Sequence, residues 1–94
     1  MVLFYFIEPM KLNLTKPLAV FDLETTGTNV GTDRIVEISI LKIFPNGKEE
    51  TKTMRINPTI PISPDASAVT GITNEDVKNC PTFKEVANEI SKFI

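Results

Sequence analysis

The feature that most restricts this chain is a short apolar run that ends in two acids. Leu18-Ala19-Val20-Phe21 has the composition of a buried strand, and Asp22-Leu23-Glu24 follows without a break. Side chains at i and i+2 of a strand share a face, so Asp22 and Glu24 project together while Leu23 points away into a core. Two like charges side by side repel, and partial desolvation makes them costlier. A divalent cation between them removes that cost, and hard carboxylate oxygens suit Mg²⁺ or Mn²⁺. Taken alone, the same two acids also describe an ordinary solvated strand end, so the motif needs context. Its context is a run of small polar turn formers, Thr25, Thr26, Gly27, Thr28, Asn29 and Gly31. Such a loop leaves backbone N–H groups approachable by the sugar or phosphate of a terminal nucleotide.

The rest of the chain reads as alternating strand and helix signals. Arg34 to Phe44 is rich in Ile and Val and long enough for a central strand. Val36, Ile38 and Ile40 alternate onto one face, and Ile35, Leu41 and Ile43 onto the other. Pro45-Asn46-Gly47 predicts a hairpin, with Glu49 to Ile56 as the half-exposed partner strand. Pro58, Pro61 and Pro64 keep the next stretch extended. Ser63-Pro64 predicts a cap and first helical position, for a helix through Val69 that ends at Gly71. Thr73 to Asp76 predicts a further helical turn. Thr82 and Glu85 form a capping box, and Phe83, Val86, Ala87, Ile90, Phe93 and Ile94 then fall on one helical stripe. That helix finishes on apolar residues without a Gly or Asn cap, which predicts a polypeptide that continues past Ile94.

Composition narrows the chemistry. A chain of 94 residues allows one small domain with a modest core. Its net charge of −2 is not the basic balance of a typical DNA-binding module. An enzyme that draws phosphate through carboxylate-held cations remains compatible with it. The chain has no histidine, so the commonest general base and zinc ligand are absent. Cys80 is the only cysteine, which excludes an internal disulfide and points to a reducing, cytoplasmic setting. Cys80 itself reads as a small packing residue. Val2 to Ile7 is too short to span a membrane and lacks the flanks of a signal peptide, so no membrane partner is expected. Met10 reads as the native start, with residues 1–9 an upstream extension; residues 1–16 together form an N-terminal extension to the unit 17–94.

The string Val20-Phe21-Asp22-Leu23-Glu24-Thr25-Thr26-Gly27 resembles the first motif of the DEDD-superfamily 3′→5′ exonucleases, and is similar above all to the proofreading epsilon-type subunits of bacterial DNA polymerase III. Asp33 to Ile38 resembles the family's second strand. Ser63-Pro64-Asp65-Ala66 through Val69-Thr70-Gly71-Ile72-Thr73 resembles the segment that many members write as H-G-I-T. Pro81-Thr82-Phe83 with Glu85-Val86 resembles the approach to the next helix. The likeness covers residues 17–94 in the same order.

The resemblance implies a ribonuclease H-like α/β fold, represented by three antiparallel strands of a mixed sheet plus packed helices. It implies two-metal hydrolysis of phosphodiester bonds at DNA 3′ ends, with Mg²⁺ or Mn²⁺ held by four carboxylates and a His or Tyr assisting the attacking water. Asp22 and Glu24 match the first two acids, as catalytic and metal-holding residues. Thr25, Asp65 and Thr70 match substrate-side positions, although Thr70 stands where many members carry His. The two further aspartates and the His or Tyr lie later in the family pattern, and the only Tyr here, Tyr5, precedes the motif. The chain thus reads as the amino-terminal half of an exonuclease domain, truncated before the second exonuclease motif and scarcely active by itself. The implied partners are a single-stranded or frayed DNA 3′ end and a DNA polymerase subunit. Two other readings stay open: a non-catalytic half-domain that binds a partner, and an RNA-directed enzyme of the same superfamily. Asp33, Glu37, Glu75 and Asp76 are expected as surface or capping residues.

Overall fold

The structure is a computed structural model that describes residues 2–3, 15–29 and 31–94, with the backbone alone at Val2 and Leu3. Tyr5 and the expected start at Met10 lie outside the described residues. One sheet holds β1 (Val2–Leu3), β2 (Leu18–Thr25), β3 (Ile35–Ile43) and β4 (Glu49–Arg55), hydrogen-bonded in that order. Every ladder in it is antiparallel. The three expected strands are present. The two-residue β1 is an addition, pairing Val2 with Glu24 and Leu3 with Leu23 along the outer edge of β2.

Turn and cap chemistry set the boundaries. Gly47, at φ 86°, closes the β3–β4 hairpin in a conformation that a side chain would disfavour. There the Phe44 N–H donates to the Lys48 carbonyl at 2.8 Å. Helix α1 (Pro64–Thr70) starts where the Ser63 hydroxyl accepts from the Ala66 N–H, and stops at left-handed Gly71. Helix α2 (Asn74–Val77) opens on a capping box between Thr73 and Asp76, and α3 (Phe83–Phe93) on one between Thr82 and Glu85. The end of α3, which lacks a glycine, is met from the sheet: the Lys42 ammonium donates to the Phe93 carbonyl at 3.1 Å.

The helices cover one face of the sheet. Ile38, Ile40 and Ile56 pack against Val86 and Ile90 of α3, joined by Phe21, Leu23 and Met54. Val36, Ile62, Ala66, Ile72 and Val77 form the second cluster, with Cys80 packed against it as expected of a small core residue. Burying each such aliphatic side chain contributes roughly 1.5–3 kcal/mol, which is how a chain this small holds together. The apolar stripe of α3 is narrower than its spacing predicts. Val86 and Ile90 are buried, but Phe83 is 45% exposed and Ile94 is 50% exposed.

Ile35 departs from simple alternation. It packs against the same cluster as Ile38 and Ile40, not on the opposite face. The reason is a register shift: Glu24 faces Glu37, yet Thr25 faces Ile35, leaving Val36 as an extra residue. A bulge of this kind reverses the alternation beyond it, so Ile35 joins the helix-covered side.

Candidate active site

Asp22 and Glu24 lie near the carboxyl end of β2 with Leu23 between them, and Leu23 packs into the helix-covered core. Strand alternation therefore turns both acids to the other face. Among the described residues no helix packs there. Across the ladder, Asp22 faces Ser39 and Glu24 faces Glu37; beyond them Ser39 faces Thr53, and Glu37 faces Arg55. The neighbours satisfy one another. The Ser39 and Thr53 hydroxyls share a hydrogen bond of 2.8 Å, and the Arg55 Nε donates to the Glu37 carboxylate at 3.2 Å.

The acid pair is not satisfied. Asp22 Oδ1 and Glu24 Oε2 are both buried with no hydrogen-bond partner. Neither acid is tied to an arginine or lysine among the described residues; Arg55 is spent on Glu37. Orphaned, desolvated carboxylate oxygens are expensive unless something positive joins them. The cost shows at Glu24, whose carboxyl is held above the usual range first by burial, then by the charges of Asp22 and Glu37. Two hard anionic oxygens presented side by side fit a divalent cation of the Mg²⁺ or Mn²⁺ type. Among the described residues no group of three His, Cys, Asp or Glu side chains converges into a metal cage. The pair is therefore a partial ligand set.

The loop after the acids is fastened from inside. Thr26 is 1% exposed. Its hydroxyl donates to Asp33 Oδ1 at 2.6 Å and accepts from the Arg34 N–H at 3.0 Å. The other oxygen of Asp33 accepts from the Asn29 N–H at 2.7 Å. These bonds, that from Thr26 foremost, hold the Asp33 carboxyl below its usual range. Gly27 lies against the same carboxylate, and a Cβ there would stand 2.6 Å from Asp33 Oδ2. Glycine is required by that close approach and not by a positive φ. The Thr25 hydroxyl turns back to the Gly27 carbonyl at 2.6 Å. Asp33, expected as a surface or capping residue, caps the loop from its centre.

The three remaining site candidates divide. Thr25 adjoins Glu24 in β2. The Ser63 N–H donates to the Thr26 carbonyl at 3.0 Å, which docks the start of α1, and with it Asp65, beside the loop. Thr70 is at the far end of α1, about 9 Å along the axis by helical rise. Its hydroxyl accepts from the Ile72 N–H at 3.1 Å. Thr26 was read from sequence only as a turn former of the motif, and Asp33 and Glu37 only as surface or capping residues. For Asp33 the available signal was an acid placed directly before the β3 run; for Glu37 there was none, because its importance comes from cross-strand register.

The sheet carries helices on one side and an orphaned acid pair at a strand end, and the chain belongs to the exonuclease family RNase_T, whose model matches residues 19–94. Relatives include DNA polymerase III PolC-type from Caldanaerobacter subterraneus subsp. tengcongensis, 37% identical over 81 residues, covering 86% of this chain and 6% of that protein. DNA polymerase III subunit epsilon from Treponema pallidum is 36% identical over 79% of this chain and 34% of that protein. The 3′-5′ exonuclease DinG from Staphylococcus epidermidis is 37% identical over 81% of this chain and 8% of that protein. The chain thus spans about a third or less of these relatives' length. Among solved structures, Exonuclease X in complex with 5′ overhanging duplex DNA superposes with a TM-score of 0.67 at 29% identity, over 77% of this chain and 42% of that one. A full-length 3′-exonuclease, at TM-score 0.71 and 21% identity over 83% of this chain and 28% of that one, shares the fold. The fold is the ribonuclease H-like α/β arrangement. Among the described residues no helix is long and apolar enough to cross a membrane.

Proposed function

We propose that this chain supplies the first two carboxylates of a 3′→5′ exonuclease site that hydrolyses phosphodiester bonds at DNA 3′ ends, in the manner of a proofreading enzyme. The observation that carries the reading is the pair of buried, partnerless oxygens on Asp22 and Glu24. Two bound Mg²⁺ or Mn²⁺ ions would supply an activated water and charge stabilisation for the leaving 3′ oxygen. Asp22 and Glu24 would hold the cations on one face of β2, and Glu24 would also serve the activated water. Thr25 and Asp65 border the terminal nucleotide, and Thr70 offers a hydroxyl at the position where many relatives carry an imidazole. The Thr26–Asp33 bond keeps the intervening loop in one shape, so the substrate meets a preorganised surface. In the pattern that this chain resembles, the remaining acids and the His or Tyr follow the segment that residues 17–94 match. DNA as substrate is supported by the polymerase relatives and by the DNA-bound structure among the similar folds.

The test is degradation of single-stranded DNA in Mg²⁺ by the complete protein and by its Asp22→Ala variant. With the label at the 5′ end, the parent should give a ladder shortened from the 3′ end. The variant should be slower by more than roughly 100-fold, as expected for loss of a metal ligand. A variant that matches the parent rate removes Asp22 from the mechanism.

A further inference from the structure

A cavity of about 610 Å³ opens at the end of the sheet that carries Glu24, on the helix-covered side. Ile35 and Ile56 form its apolar floor, and Phe83, at the first turn of α3, contributes an exposed aromatic ring. Arg34 and Lys84 stand on its rim. The Arg34 guanidinium donates to the Pro58 carbonyl and the Thr59 hydroxyl, which are neutral, so its charge is not cancelled. Among the described residues Lys84 has no ion-pair partner. The lining also holds one carboxylate, Asp33, kept ionised by its bonds from Thr26 and the Asn29 N–H. Thr25 also lines the cavity and follows Glu24 directly, so the cavity and the acid pair share one rim of the sheet.

An exposed ring beside an apolar floor, with two cations against one carboxylate, is chemistry that grips an unpaired base and its phosphate. A purely apolar peptide segment would gain nothing from the cations. We infer that this cavity is a second nucleic-acid subsite, which holds one unpaired nucleotide upstream of the 3′ end, its base on Phe83 and its phosphate at Lys84 and Arg34. The inference rests on the exonuclease reading, since that reading places the strand terminus at Asp22 and Glu24.

The test is fluorescence anisotropy of 5′-labelled oligothymidylates with the complete protein, using Ca²⁺ in place of Mg²⁺ to suppress cleavage. A dinucleotide reaches only the acid pair, whereas an octanucleotide reaches both sites. Phe83→Leu should weaken octanucleotide binding about tenfold by loss of the stacking platform. Lys84→Gln, at an exposed position that folding does not need, should lower the slope of log affinity against log salt by about 0.7. Neither variant should change dinucleotide binding. Octanucleotide binding at parent strength and parent salt slope in both variants overturns the cavity assignment alone; that is also the outcome if the cavity receives another stretch of polypeptide. A parent chain that binds neither oligonucleotide overturns the exonuclease reading together with it.

Discussion

Glu24 stands directly across the β2–β3 ladder from Glu37, and Arg55 bonds to Glu37, not to Glu24. Arg55 thus quenches the acid that lies outside the family motif, while Oε2 of the motif acid has no hydrogen-bond partner. Like charges opposed across a ladder are destabilising, and a fold keeps them where something else joins the site.

That arrangement sets a pH dependence with a definite sign. The Glu24 carboxyl is raised above its ordinary value by burial, by Asp22 and by Glu37. The folded chain therefore keeps this proton to higher pH than the unfolded chain does, and stability falls as pH rises through the window between the two values. Glu24→Gln should raise the thermal midpoint of the metal-free protein at neutral pH and leave it unchanged at pH well below the ordinary Glu range. Melting curves across pH check this; a variant less stable than the parent at neutral pH contradicts it.

Thr26 is the tie between loop and strand. Thr26→Val keeps the volume but removes the hydroxyl that serves both Asp33 and the Arg34 N–H. Urea unfolding should show a loss of about 1–3 kcal/mol, the cost of stranding a buried polar group. The lowered Asp33 carboxyl works in the opposite sense to Glu24. It contributes stability above its unfolded value, which is lost as pH falls through its folded one. Thr26→Val should therefore flatten the acid limb of the stability curve.

Gly27 is fixed by space. Its missing Cβ would stand 2.6 Å from Asp33 Oδ2, which the Asn29 N–H already holds while Thr26 holds Oδ1. Gly27→Ala should cost about 1–3 kcal/mol as an overpacked contact. It should also slow the complete enzyme, because Thr25 is hydrogen-bonded to the Gly27 carbonyl. An alanine variant with parent stability would show that the loop yields freely.

Helix α3 offers an internal comparison. Ile90 is buried among Ile38, Ile40 and Ile56, whereas Ile94 is 50% exposed. Ile90→Ala should cost about 2–5 kcal/mol, and Ile94→Ala should fall within about 0.5 kcal/mol of the parent. Denaturant titration of the two variants separates them. Equal losses would place both side chains in the core.

The parts of this fold that local chemistry dictates were legible in the residues. Ser63-Pro64, Thr73, Thr82 with Glu85, Gly47 and Gly71 act where they stand, because caps and turns are settled within a few residues. The acid pair was legible for the same reason: Asp22 and Glu24 share a face by the geometry of any strand. What escaped the reading depends on contacts distant in sequence. Ile35 changes face because of a bulge that exists only in the pairing of β2 with β3. Thr26 and Asp33 are seven residues apart and meet only when the loop closes. Phe83 and Ile94 fit the helical stripe by spacing, but the sheet beneath them is too narrow to cover both ends of α3. The two-residue β1 carries no periodicity long enough to read.

The central claim is that Asp22 and Glu24 share a divalent cation, and thermal unfolding against Mn²⁺ tests it most directly. A cation that binds only the folded chain raises the midpoint as its concentration rises. The midpoint should rise progressively for the parent near neutral pH, less as pH falls toward the raised Glu24 value, and not at all for Asp22→Asn. A parent midpoint indifferent to Mn²⁺, or an equal rise in Asp22→Asn, would contradict it.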